Sequence, residues 1–178
     1  MSGHSHWATT KRDKEVTDSK KSKIFTKLSR GITVAAKLGG GDTASNSALR
    51  MAVDKAKEAR MTKESIDKAI NKGLGIGADG ANYEDVIYEG YGPEGVAFYI
   101  KGLTDNKNRT VSEIRSIFSK HGGSLGSAGS TAYIFSSDLE NPGFYIDITN
   151  DSTKEILIKL VEELEDSDDV QEVYTNFR

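Results

Sequence analysis

The 178-residue chain has no cysteine, which excludes disulfides, thiol chemistry and Cys-ligated zinc together. Proline is nearly missing as well, with 2 residues against 18 glycines, and 29% of the chain is charged. That balance, with 36% hydrophobic residues, fits a soluble globular protein with one ordinary core or two small ones, not a disordered chain. No apolar run approaches the roughly 20 residues a membrane span needs. The N-terminus lacks the apolar core of a secretory signal, so a cytoplasmic location and no membrane partner are expected. Tryptophan is almost lacking too: the single one, Trp7, sits beside His4 and His6 in MSGHSHW.

What is present is a charge imbalance hidden by the overall net charge of −3. Residues 1–72 hold 16 Lys and Arg against 8 Asp and Glu, a net of +8, leaving 8 against 19, or −11, for residues 73–178. Such asymmetry between halves points to nucleic-acid contact. The densest stretch is 11–37, with nine basic against three acidic residues, or +6. Lysine and arginine neutralise phosphates and release counterions without reading sequence. The plainer alternative, a solvated helix face, normally carries both signs in near balance. The candidate contacts are therefore His4, His6, Trp7, Lys11, Arg12, Lys14, Lys20, Lys21, Lys23, Lys27, Arg30 and Lys37. Trp7 either stacks on a base or folds back onto the helices as a staple; both readings stand.

Apolar periodicity predicts a polar arm over 1–19 and three helices. The first covers about Ser19–Leu38, with Ile24, Leu28, Ile32 and Ala35 inward, Phe25 beside them and the basic residues on the outer flanks. The second covers about Ala44–Ala59, and the third follows Thr62 as N-cap and ends at Gly73. GLGIGADGAN, residues 73–82, reads as a linker. Beyond it the period falls from 3.6 to 2. Strands are expected at 83–90, 96–104, 130–135, 143–149 and 170–177, with helices at 107–121 and 152–166.

After the leading strand the order is β-α-β-β-α-β. The fold class is thus α+β: an N-terminal three-helix domain followed by a ferredoxin-like antiparallel α/β domain with an extra leading strand. The domains are 1–72, basic and helical with its arm; 73–82, the linker; and 83–178, ferredoxin-like. Two helices should cover one sheet face and leave the other for solvent, a partner or a dimer mate.

GGGD, residues Gly39, Gly40, Gly41 and Asp42, lacks the GK[ST] of a phosphate loop and follows a helix C-terminus, where the dipole repels anions. It reads instead as a flexible tip that inserts into a partner. The His4/His6 pair has neither Cys nor a carboxylate at helical spacing beside it, so no metal and no cofactor are expected. Asp105, Arg109, Lys120 and His121 mark the two ends of one helix, roughly 20 Å apart at 1.5 Å per residue, too far to form one site. With no nucleophile–base pair, the chain is expected not to be an enzyme.

The segments GHSHWA, KIFTKL, AAKLGGGD, YEGYGPEGVA, TDNKNRTVSEIRSIFSKHGGSLG and LEDSDDVQEVYTNF occur in order over nearly the whole chain. Together they resemble the YebC/PmpR family, which includes the mitochondrial translational activator of cytochrome c oxidase. The resemblance implies an N-terminal helical domain followed by ferredoxin-like domains. It also implies one of two roles: a probable transcriptional regulatory protein on DNA, or a ribosome-associated translation factor contacting rRNA or tRNA and relieving stalling, as at proline runs. His6 stands where the family commonly has Lys, and Gly31 where an acidic residue is usual. YIFSSDLENPGFYIDI joins the two halves of the terminal domain through a short hairpin, so the family's inserted middle domain is expected to be missing. A monomer and a weak dimer both remain open.

Overall fold

The computed structural model describes residues 18–77 and 82–178, which divide into two compact units. One contains the three helices and extends to Glu84, with Leu103–Asp105; the other contains Asp85–Gly102 and Asn106–Arg178.

In the helical unit α1 spans Asp18–Gly39, α2 Ser47–Glu58 and α3 Lys63–Gly73. The inward stripe of α1 closes gradually. Ile24 is exposed, contrary to its expected inward position, Phe25 and Leu28 are half-buried, and Ile32 and Ala36 are buried. Leu49, Val53 and Ala56 of α2 and Ile66 and Ala69 of α3 complete this core. Four of its members are alanines, so helices approach closely while little apolar area is removed from water. Gly73 shows how closely: a Cβ built there would lie 2.3 Å from the Thr33 carbonyl oxygen and 2.8 Å from the Ala36 methyl.

α2 starts later than its periodicity predicts because Asn46 takes the N-cap. Its side-chain oxygen accepts from the Leu49 N–H at 3.0 Å, while its amide donates to the carbonyls of Ala35 and Gly40, both at 2.8 Å. Thr62 caps α3 as expected, accepting from the Ser65 N–H. The start of the expected linker is instead a helix ending. Gly75 has φ +73°, and the Ile76 N–H returns to the Asn71 carbonyl, closing the last turn of α3. Residues 78–81 lie outside the described residues.

The second unit is built on an antiparallel sheet of β1 (Glu84–Tyr91), β2 (Ala97–Thr104), β3 (Ser124–Leu125) and β4 (Val170–Thr175), in the order β3-β1-β2-β4. Helices α4 (Lys107–Lys120) and α5 (Asp151–Asp166) supply the covering side chains. Phe98 and Ile100 of β2 pack with Ile114 and Phe118 of α4, Leu157, Leu160 and Leu164 of α5, and Val173 of β4. Phe98 and Phe118 meet edge to face at 5.4 Å.

The α+β class, with helices first and an antiparallel sheet second, is what the structure has. Two expected strands are not there. Residues 130–135 form successive turns, and only Ile146 of 143–149 makes a bridge, parallel to Phe177 beyond the end of β4. The turns have a packing reason. Ile134 and Phe135 are buried against Ala97 and Tyr174, with Tyr91, Tyr99 and Leu139 around them, so the second sheet face, expected to be open, is partly roofed by the chain itself. Glu89 anchors that roof. Its carboxylate accepts from the N–H groups of Gly129, Thr131 and Ala132 at 2.6–2.7 Å and from the Thr131 hydroxyl at 3.0 Å.

Candidate nucleic-acid interface

Of the twelve candidate contacts, His4, His6, Trp7, Lys11, Arg12 and Lys14 lie outside the described residues. The other six are on α1. Lys20, Lys21, Lys23 and Lys37 are exposed as expected, whereas Lys27 and Arg30 are half-buried. Arg30 corrects the outer-flank reading most clearly. Its guanidinium lies over the Tyr83 ring at 5.0 Å, and Lys72 of α3 approaches the same ring at 5.6 Å. The Lys37 ammonium donates to the Asn82 side-chain oxygen.

These positions open a groove of about 710 Å³ along α1 and α3. Four cations line it: Lys21 and Arg30 from α1, Lys68 and Lys72 from α3. Among the described residues its lining includes no carboxylate, although Glu64 pairs with Lys68 at 2.9 Å, one helical turn away on α3. Phe25 and Tyr83 add aromatic surface, and Ser22, Thr26, Ser29 and Ser65 add hydroxyls. Periodicity found the α1 cations, but the contribution of α3 was missed. Lys68 and Lys72 are four residues apart and so share one helix face, a spacing that the sequence already contained.

The GGGD loop is more ordered by its own chemistry than a flexible tip requires. Gly39 ends α1 where a Cβ would strike the Asn46 side chain at 2.6 Å, and Gly41 where one would strike Leu74 at 2.8 Å. Gly40, at φ +86°, returns its N–H to the Ala36 carbonyl. The Asp42 carboxylate accepts from the Ala44 N–H and the Ser45 hydroxyl, which hold it below its usual range. Leu38, beside the loop, is 79% exposed.

The residues with catalytic types in the second unit are committed elsewhere. Arg109 donates to both oxygens of the buried Asp169, at 3.1 and 2.9 Å, and the Thr110 hydroxyl donates to the same carboxylate at 2.7 Å. His121 and Lys120 meet Glu163 at 2.6 and 2.9 Å, and with His121 as the larger cause they hold that carboxyl below its usual range. Among the described residues no group of three or more His, Asp or Glu is placed to hold a metal, and no helix is long and apolar enough to cross a membrane.

The N-terminal domain model of the TACO1/YebC proteins matches residues 5–76, and the model for their second and third domains matches 83–138. The chain belongs to the TACO1/YebC family. A probable transcriptional regulatory protein of Syntrophus aciditrophicus is 40% identical, with 99% of this chain and 95% of that relative covered. Its alignment runs over 238 positions against 178 residues here, so about 60 positions have no counterpart in this chain. Another protein of the same description, from Acidithiobacillus ferrooxidans, is 60% identical over 135 residues, which is 76% of this chain but only 54% of the relative. A conserved hypothetical protein of Aquifex aeolicus, solved by crystallography, superposes with a TM-score of 0.87 at 33% identity, covering 98% of this chain and 97% of that one. The TACO1/YebC model for the second and third domains stops at residue 138, within the segment where the insert was expected to be missing.

Proposed function

We propose that this chain is a nucleic-acid-binding regulator of gene expression, not an enzyme, and that its helical unit makes the contact. The observation that carries the reading is the groove of α1 and α3, where Lys21, Arg30, Lys68 and Lys72 line one cleft. A polyanion satisfies such a site and releases its counterions on binding. The relatives' description as probable transcriptional regulatory proteins supports a regulator and makes DNA the first target to test. The second reading is a ribosome-associated translation factor in which the same cations meet rRNA or tRNA and the GGGD loop, with Leu38 exposed beside it, inserts into the partner. Aromatic rings in the groove favour unpaired bases over a closed duplex. In either role the site of action is the cytoplasm.

Tagged protein sedimented with ribosomes, set beside a salt-titrated mobility shift on duplex DNA, separates the two. Duplex binding that persists at moderate salt supports the transcriptional role. Ribosome association that resists salt, with DNA binding erased by it, replaces that role by the translational one. Changing Lys20, Lys21, Lys23 and Lys27 together to Gln is expected to flatten the slope of log affinity against log salt by roughly 2 to 3. An unchanged slope removes these lysines from the interface.

A further inference from the structure

The groove of α1 and α3 has a chemistry more specific than a basic surface. We propose that it is a seat for single-stranded nucleic acid, with one base stacked on Phe25 and the flanking phosphates held by Lys21, Lys68 and Lys72; this rests on the function proposed above. Phosphate binding alone would need only exposed lysines. Here they line the same groove as a half-buried aromatic ring, Phe25, which also packs against the helical core. The face of a base is an apolar surface available only where the strand is unpaired, because in a duplex each face is covered by its neighbour.

Tyr83 has a different part. With Arg30 at 5.0 Å and Lys72 at 5.6 Å from its ring, it holds two cations at the groove wall and so sets where their charge is presented. Phe25 has no cation on its ring among the described residues. The four cations in the lining, Lys21, Arg30, Lys68 and Lys72, favour a polyanion over a basic peptide as occupant.

The test is fluorescence anisotropy of a labelled oligouridylate of about ten nucleotides, titrated with the whole chain at several salt concentrations, beside a duplex DNA probe. Lys68→Gln with Lys72→Gln is expected to weaken the single strand about tenfold and lower the salt slope by about 1.4, for two phosphates on a single strand. The exposed pair Lys55→Gln with Lys57→Gln on α2 removes the same charge outside the groove and is expected to do much less. Phe25→Leu is expected to weaken the single strand about tenfold while leaving the salt slope unchanged. Because Phe25 also packs on the core, a 4-thiouridine crosslink in the unaltered protein, mapped to the peptide containing Phe25, supplies the same information without a variant.

Equal losses from the α2 and α3 pairs, a crosslink elsewhere, or equal competition by polyglutamate would each overturn the seat. Duplex binding that survives those results leaves the proposed function standing. No binding of either probe at low salt overturns both.

Discussion

Replacing Glu89 by Gln asks how a buried carboxylate holds the roof of the sheet. Glu89 is 5% exposed and stands on β1 on the face away from α4 and α5. Burial opposes its ionisation, but the N–H groups of Gly129, Thr131 and Ala132 and the Thr131 hydroxyl together outweigh that and hold its carboxyl below the ordinary range. A glutamine can place its one oxygen where three of these donors converge, losing the bond from Gly129 and setting an NH₂ against that N–H. Hydrogen bonds to a charged acceptor contribute roughly 1.5–3 kcal/mol, so losing one and weakening three should cost about 3 kcal/mol. Against a total of roughly 5–15 kcal/mol for a domain, that moves the urea midpoint down by about 1–2 M. Hydrogen exchange gives the local readout: the amides of Gly129, Thr131 and Ala132 should lose protection in Glu89→Gln before those of β2 do.

The pH dependence follows from the same geometry. The folded pKa lies below the unfolded value, so this stabilisation is complete above the unfolded carboxylate pKa and fades as pH falls through the lower folded one. Glu89→Gln should therefore flatten the acid limb of the stability profile. Unchanged protection at 129–132, or an acid limb identical in both proteins, would refute the argument.

Gly73→Ala should destabilise the helical unit by about 1–3 kcal/mol or more, since the new methyl meets backbone at 2.3 Å and α1 and α3 must part; thermal unfolding followed at 222 nm checks it. Arg109→Ala should cost about 2–3 kcal/mol in urea unfolding, because it removes the cation whose guanidinium nitrogen donates to both oxygens of the buried Asp169 carboxylate.

Where a single face repeats with one period, the sequence was legible. The three helices, β1, β2, α4, α5 and β4 all follow from spacing, and Thr62 was readable as a cap. Residues 130–135 were not, because STAYIF has strand composition while its backbone direction is set by an acceptor forty residues earlier. Nothing local announces that Glu89 will gather three consecutive-region amides into a turn. The same limit applies to the candidate site. The α1 cations stand out as a run, whereas Lys68 and Lys72 join them only once Gly73 has let α3 lie against α1. Arg30 was misplaced for a related reason: its partner Tyr83 is distant in sequence.

The closed turn between Ile134 and Gly143 is a place where a segment can be absent while the surrounding unit is kept. The Gly143 N–H donates to the Ile134 carbonyl at 2.7 Å, so the chain leaves the roof and returns to it within one hydrogen bond. Between those points Asp138 accepts from the Glu140 N–H and the Asn141 side chain, which makes the turn self-contained. An insertion whose two ends are that close can be present or absent without moving the residues on either side. Ile134 and Phe135 before it, and Ile146 and Ile148 after it, remain buried or partly buried in the cores of this unit. A segment absent at this turn would thus fall where the backbone is already closed, and the described residues that line the cationic groove all belong to the helical unit.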